Sequence, residues 1–465
     1  METFMSQSAK HLAELRATFN SGKTRSYEWR YQQLQQLLKL VDENEQRFID
    51  AFKKDSGKAE ATTLAGEILF TRGDLTYVMK NLKKWIKPTK VGSPMFLWPL
   101  KSRIDPTPYG VVLLGAAWNF PMQLSIAPLA AAIAAGNCAI IKPPSLSPAF
   151  CELIAELVPK YMDNDAVRVF QPEGDERDVL LRQPFDLIMY TGSFNVGKVV
   201  MRAAAENLVP VLLELGGKNP CIIAEDANLE VAANRILDAK GLNAGQVCVN
   251  VDYIMCHESI KPALLAKLKE KVEYMYGQDQ QKSNVMSRII NKHHLDRLKG
   301  LLDSGDIVVG GKFDDDDNFL DITVLDNVSV DSKVMEDEIF GPILPVLTYK
   351  TKQDIMDVYH RYGKPLCFYV FTENKAFAED LINSTQSGAV GVNSIMYHVP
   401  NHKLPFGGVG ASGMGRYHGK YGFESFSHLR AVVSKPTWPD IKQSYPPFTD
   451  DELAQRNKFM RFLMK

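Results

Sequence analysis

Along the first hundred residues apolar side chains recur at helical spacing, with Tyr31, Leu34, Leu37, Leu38 and Val41 in one stretch and Leu64, Ile68 and Leu69 in another. This part reads as a helical covering layer. From Tyr109 the pattern changes to short apolar runs (GVVLLGAAW, CAIIKPP, VRVFQ, DLIMYTG, VPVLLELGG) that alternate with helical stretches. Those helices are the small-residue segment PLAAAIAAG, one opened by Ser147 as cap with Pro148 in its first turn, and one from about Asn195 to Asn207. The alternation predicts a doubly wound parallel sheet with a ligand crevice at its strand C-termini. A second alternating block starts near Asn219 with NPCIIAED and a long helix from Leu229 to Asn243. It continues through strand VDYIMCH, helix KPALLAKLKEKVEYM, strand DIVVGG and strands around Pro342–Val346 and Leu366–Phe371. The Pro-rich stretch Pro88–Pro106 reads as an arm leaving the first block. The tail from Pro436 ends in DELAQRNKFMRFLMK, which reads as a docked helix, too short to span a membrane.

A chain of 465 residues predicts two or three domains. With 45% hydrophobic residues, 23% charged residues and a net charge of -1, nothing in the balance attracts a polyanion, so no nucleic-acid partner is expected. The start, METFMSQSAKHLAEL, lacks the parts of a secretory signal, and a cytoplasmic protein is expected. The most apolar stretch, Leu124 to Ile141, is divided by Ser125, Pro128, Gly136 and Asn137 into helix, turn and strand, which predicts no membrane span. Six scattered cysteines (Cys138, Cys151, Cys221, Cys248, Cys256, Cys367) form no CxxC pair and fit reduced thiols. The acidic run Asp314–Asp317 reads as a solvated turn. His398 and His402 flank Pro400, which argues for a loop rather than a metal pair, and His418 and His428 read as structural; no metal is expected.

One thiol stands apart. Cys248 lies in NAGQVCVN, among small and amide residues rather than the Val, Ile and Leu that surround a packing cysteine. Three other segments matter with it: AAWNFP with Asn119, LELGGK with Glu214, and EIFGP with Glu338. Taken singly, Asn119 is a helix cap, Glu214 a strand terminus or a partner of Lys218, Lys142 a snorkelling strand-end lysine and Glu338 a surface carboxylate. Their joint order is much less accidental.

Together these segments resemble the aldehyde dehydrogenase superfamily from about Lys87 to Lys435. The late stretch KLPFGGVGASGMGRYHGKYGFESFSH is similar to its class-three branch, dimeric enzymes acting on medium-chain and aromatic aldehydes. The resemblance implies an α/β fold with a Rossmann-like cofactor domain (1–87 and 107–213), a second α/β catalytic domain (214–392), a small β bridging and oligomerisation element (88–106 and 393–440) and a C-terminal tail (441–465). It implies NAD or NADP as cofactor, an aldehyde as substrate and a homodimer.

A carbonyl carbon donates hydride poorly until a nucleophile makes it tetrahedral, and a thiolate does this while leaving a thioester as the oxidised product. In this reading Cys248 is the nucleophile, the Asn119 amide and the Cys248 backbone N–H hold the oxyanion, and Glu214 is the base for thioester hydrolysis. Burial is expected to raise the Glu214 pKa. Cofactor contacts are implied at Lys142, Ser145, Gly192, Ser193, Gly197, Leu215, Glu338, Phe340 and Trp118. The one literal GxGxxG match, Gly408 to Gly413, follows no strand of the first sheet and is discounted. Many relatives read KPSE where this chain reads Lys142-Pro143-Pro144-Ser145, so the carboxylate that would repel a 2'-phosphate is absent and NADP is expected to be accepted well, even preferred. Tyr77, Trp118 and aromatics near Tyr397 are candidates for an apolar tunnel. Two rivals remain: a CoA-acylating aldehyde dehydrogenase, which generally lacks the Glu214 base, and a cysteine esterase or thioesterase, which would leave the ribose-contact motifs unexplained.

Overall fold

The structure, a computed structural model, describes residues 6–440 and 445–463. Four long helices (Gln7–Asn20, Tyr27–Glu43, Glu45–Ser56, Phe70–Trp85) form the expected N-terminal layer. Strands β1 (Thr89–Val91) and β2 (Lys101–Pro108) make the arm. Five strands follow: β3 (Val111–Gly115), β4 (Cys138–Lys142), β5 (Val167–Val169), β6 (Leu187–Gly192) and β7 (Val211–Leu215). The second block contains β8 (Pro220–Ile223), β9 (Tyr253–His257), β10 (Asp306–Val309), β11 (Phe313–Asp314), β12 (Phe319–Leu320), β13 (Thr323–Asp326), β14 (Ile343–Tyr349), β15 (Cys367–Phe371) and β16 (Ala389–Val392). Strands β17 (Gly413–Met414) and β18 (Ser427–Ser434) complete the set.

The first sheet runs β17-β7-β6-β3-β4-β5, parallel except for β17. Strand order reverses at β3, so the crevice between the C-terminal ends of β3 and β6 is the expected ligand position. The second sheet runs β10-β13-β14-β9-β8-β15-β16, parallel except for β10. β11 and β12 form a small hairpin, and β1-β2-β18 form a third, antiparallel sheet, so the arm rejoins the chain through β18.

The Pro121–Ala135 helix is buried at every position and packs against the Tyr27–Glu43 and Phe70–Trp85 helices. A helix that is apolar all round needs such an enclosed place. The next helix, Pro148–Tyr161, has Ser147 at its cap position, but the Ser147 hydroxyl turns away to donate to the Trp118 carbonyl at 3.4 Å. The free N–H groups of Ala149 and Phe150 donate instead to the Asp55 carboxylate at 2.8 and 2.9 Å. A cap from a distant helix does the same work as a local one and ties the N-terminal layer to the sheet domain.

Three expectations are corrected. The stripe Leu64, Ile68, Leu69 is broken because Leu64–Leu69 is π-helical, so that Leu69 is 56% exposed and Glu67 is fully buried. The Leu229 helix stops at Gly241, two residues early, and Leu242–Gly245 form a separate tight turn. The tail helix forms over Asp450–Leu463 and meets the arm at the Met95–Leu97 turn, but none of its described side chains is buried. Among the described residues no helix is long and apolar enough to cross a membrane.

Candidate active site

The tight turn at Leu242–Gly245 explains how Cys248 is presented. Asn243 (φ 51), Ala244 (φ 52) and Gly245 (φ 74) are all left-handed, a conformation that asparagine and glycine tolerate and alanine adopts only at a cost. The Gln246 side chain holds the turn, donating to the Asn243 and Arg288 carbonyls at 2.9 and 3.0 Å and accepting from the Ile290 N–H at 3.0 Å. Asn219 clasps the segment beyond it. Its amide donates to the carbonyls of Cys248 (2.7 Å) and Asn250 (2.9 Å), and its oxygen accepts from the Cys367 N–H (2.8 Å). Asn219, the residue after LELGGK, was not singled out in the sequence, although its adjacency to that motif was the available signal.

The four motif segments meet here. Asn119 Nδ2 donates to the Gln246 carbonyl at 3.2 Å, and Asn243 Nδ2 donates to the carbonyls of Asn119 and Gln246, both at 3.2 Å. A Cβ on Gly245 would overlap the Gly341 carbonyl, and one on Gly216 would overlap the Glu338 carboxylate. Trp118 meets Phe340 edge-on, ring centroids 5.3 Å apart. Phe340 has φ 46, another left-handed residue in the same locality. Each glycine that the motifs supply is therefore a point where one segment's backbone touches another.

Glu214 sits at the buried end of β7, opposite Gly413 of β17. It is 2% exposed, and neither carboxylate oxygen has a hydrogen-bond partner among the described residues. Desolvation alone pushes its carboxyl well above the usual carboxylate range. Lys218 does not pair with it. The Lys218 ammonium donates to Asp252 (2.6 Å) and to the Val334 and Asp337 carbonyls (both 2.9 Å), while Asp252 accepts from the Ile339 N–H (2.9 Å), so this pair anchors the EIFGP loop.

Cys248 is half-buried, whereas the other five cysteines are buried. Burial pushes its thiol up, and the neighbouring Glu338, Cys367 and Glu214 push the same way. Burial and Asp252 raise the Glu338 carboxyl to about 8. The site therefore disfavours both the thiolate and the carboxylate, so Glu214 must be ionised and the thiol proton must move before the sulfur can attack.

The cofactor candidates gather at the C-terminal ends of β3, β4, β6 and β7. Ser193 caps the Phe194–Ala205 helix, its oxygen accepting from the Val196 N–H at 3.4 Å, and Gly192 is half-buried beside it. Gly197 is buried, and a Cβ there would press into Leu215, so it serves the approach of helix to strand. Leu215 is buried and Ser145 exposed. Lys142 is half-buried with no carboxylate paired to it among the described residues; burial first and Arg177 second hold its ammonium below the ordinary value. Arg177 is a cation that sequence reading missed, because it arrives from a separate short helix, Glu176–Leu181. An open helix N-terminus, a glycine turn and two unneutralised cations fit a phosphate-bearing dinucleotide.

The aromatic candidates for the tunnel stand in different surroundings. Trp118 lies with Phe340 and His294, Tyr77 stacks on His402 at 5.6 Å, and Tyr397 is 63% exposed. Tyr77 and His402 instead line a surface pocket with Arg72, Gly73, Thr76 and Lys80. His398 lies 3.5 Å from the Cys367 sulfur and His418 packs on Phe70, Phe406 and Tyr417. His428 lies on β18 beside Tyr109. The carboxylates of Asp314, Asp315 and Asp317 are taken by Gln281, Lys292, Lys299 and Arg288. The discounted Gly408–Gly413 match leads into β17, and its Ser412 carbonyl accepts from the Leu215 N–H at 3.1 Å, so it closes the edge of the first sheet beside Glu214.

The sequence pattern of the aldehyde dehydrogenase family matches residues 6–432. The chain is 43% identical over 435 residues to a 4,4'-diaponeurosporen-aldehyde dehydrogenase of Staphylococcus aureus, covering 93% of this chain and 95% of that protein. It is 40% identical over 445 residues to a dimeric NADP-preferring aldehyde dehydrogenase of Canis lupus familiaris, covering 95% and 98%. A substrate-bound structure of the Staphylococcus aureus AldH superposes with a TM-score of 0.96 at 41% identity, covering 99% of this chain and 100% of the other. The Rossmann-like fold, the site built at its strand ends and these likenesses agree: the chain belongs to the aldehyde dehydrogenase family and is an NAD(P)-dependent enzyme that oxidises aldehydes to carboxylic acids.

Proposed function

We propose that Cys248, Glu214 and Asn119 carry this reaction, on medium-chain aliphatic or aromatic aldehydes. The observation that carries the reading is Glu214, a buried carboxylate with no hydrogen-bond partner among the described residues, electrostatically coupled to the thiol of Cys248. Glu214 takes the thiol proton as the Cys248 sulfur bonds to the aldehyde carbon. The carbonyl oxygen becomes an oxyanion held by the Cys248 N–H and by the Asn119 amide hydrogen that Gln246 leaves free. Bound nicotinamide dinucleotide supplies the two-electron acceptor. Glu214 then releases the thiol proton to solvent; for hydrolysis of the thioester its carboxylate takes a proton from water, the water oxygen bonds to the acyl carbon, and the carbon–sulfur bond breaks to return the thiolate. Ser193 and the helix it caps would hold the pyrophosphate, Glu338 the nicotinamide ribose, with Phe340 and Trp118 at the ring and Leu215 behind it. The domain division given above is the one we assign.

Initial rates with a medium-chain aldehyde, with NAD or NADP and without coenzyme A, test this reading. Turnover without coenzyme A is expected; turnover only after its addition would favour the acylating rival, and cofactor-independent hydrolysis the esterase.

NADP is the cofactor that Lys142 and Arg177 favour, since no carboxylate among the described residues pairs with either cation. Replacing both by methionine is expected to lower kcat/KM for NADP by about tenfold or more and for NAD by less than about threefold. Equal losses with the two cofactors would sink this assignment.

A homodimer is the assembly we assign, in the cytoplasm, where six free cysteines stay reduced. Met95 (80% exposed) and Trp98 lie in the β1–β2 arm, while Leu429 and Val433 on β18 present apolar surface beside it. Sedimentation velocity is expected to give twice the chain mass, and a monomer at micromolar concentration would refute it.

A further inference from the structure

A buried ion pair lies outside the reacting groups, beneath the loop that carries Asn119. Lys58 and Glu67 are 2% and 0% exposed at their side chains and 2.8 Å apart. The Lys58 ammonium also donates to the Asn119 backbone carbonyl at 2.7 Å and lies over the Phe120 ring, 4.6 Å from its centroid. The second Glu67 oxygen accepts from the Gln123 N–H at 2.9 Å, at the start of the Pro121–Ala135 helix, where no side chain at the cap position does so. Chain geometry is spent on this contact. Glu67 faces inward because Leu64–Leu69 is π-helical, and Gly66 is required because a Cβ there would press into Phe120.

A buried ion pair is poor evidence for stability, since apolar residues of the same volume often hold a fold as well. What this pair adds is direction. One end fixes the carbonyl of Asn119 and the other fixes the helix that begins two residues later, so the peptide between them cannot rotate. Asn119 has its amide 3.2 Å from Gln246, and any turn of its backbone would swing the remaining amide hydrogen away from the Cys248 N–H. We propose that Lys58 and Glu67 are positioning residues that hold the Asn119 amide in the oxyanion site. The inference rests on the reading of Asn119 as an oxyanion donor.

The test compares Lys58→Met/Glu67→Gln, Asn119→Ala and the three changes combined, with Lys58→Arg as the conservative variant. Glutamine keeps an acceptor for the Gln123 N–H, and removing both charges leaves none unpaired in the core, so the double variant should fold and bind cofactor as the parent does. Its kcat, and the initial burst of reduced nicotinamide, are expected to fall roughly 10- to 100-fold, below the loss of about 10²–10³ that removing an oxyanion donor brings. Lys58→Arg retains donors for both acceptors and should recover part of the rate. In the Asn119→Ala background the double change should cost less than about threefold, because the group it positions is gone. Equal losses in the two backgrounds overturn the positioning role alone. A parental kcat in Asn119→Ala overturns the oxyanion reading, and the positioning role with it.

Discussion

Cys248→Ala is expected to lower aldehyde oxidation by about 10⁴-fold or more, the scale seen when an enzyme's covalent nucleophile is removed. The size follows from the chemistry, since without the sulfur no tetrahedral adduct forms and the aldehyde carbon has little hydride to give. Cofactor affinity and melting temperature should barely change, because Cys248 is half-buried and its main-chain carbonyl stays clasped by Asn219. Alkylation offers a parallel check. The buried Cys138 and Cys151 thiols are pushed up to about 12 and Cys256 to about 11, and substrate-protected labelling should report Cys248 first. Burial raises the Cys248 thiol too, so labelling should accelerate as pH rises. Substantial activity in the alanine variant, measured by nicotinamide absorbance, would remove Cys248 from the mechanism.

Glu214→Gln is expected to divide the reaction in a different way, slowing steady-state turnover by about 10²–10⁴-fold, as loss of a general base does. If a residual fraction of thiolate still attacks, reduced nicotinamide should appear in a burst no larger than the enzyme concentration, and the acyl group should be found on Cys248 by intact-protein mass. The glutamine amide fills the same buried space, so an unfolded product is not the expected result. Parental turnover, or turnover restored by coenzyme A alone, would show that another group activates water.

The pH dependence has a definite sign. In its proposed role Glu214 works as carboxylate, and burial raises its pKa well above the ordinary 4.5, so turnover should rise with pH through the raised value and fall below it. Stability runs the other way. In the window between 4.5 and the raised value the folded state holds a proton that the unfolded state has released, so this group makes the fold less stable as pH increases. Glu214→Gln removes that dependence, and its melting temperature should exceed the parent's most at alkaline pH.

Much of the architecture was legible because strand and helix announce themselves locally. The apolar runs at β3, β4, β6 and β7 alternate with helices at a spacing that only parallel crossovers satisfy. The proposed chemical residues stood out for a related reason: Cys248 among amides and Glu214 at the end of an apolar strand each contradict what their neighbourhoods would choose for packing.

What remained hidden depends on partners far away in the chain. No local pattern says that Asp55 rather than Ser147 caps the Pro148–Tyr161 helix, or that Leu69 turns outward so that Glu67 can reach Lys58 and Gln123. The Gly408–Gly413 segment looked like a misplaced phosphate loop, and its place beside Glu214 depends on antiparallel pairing across about two hundred residues of chain. The tail helix has the periodicity of a docked element, but the surface it meets is the short exposed turn Met95–Leu97, which buries none of its described side chains.

Residue type and spacing were enough to give the two α/β blocks, to mark Cys248 and Glu214 as the proposed nucleophile and base, and to show that Ser145 replaces a carboxylate. Folding was needed to give Lys218 to Asp252 and leave Glu214 without a partner among the described residues, to bring Arg177 towards Lys142, and to set the Lys58 ammonium on the Asn119 carbonyl. The reason is physical: a pKa, an ion pair or a fixed amide depends on which groups share a few ångströms of low-dielectric space, and chain folding alone sets that distance.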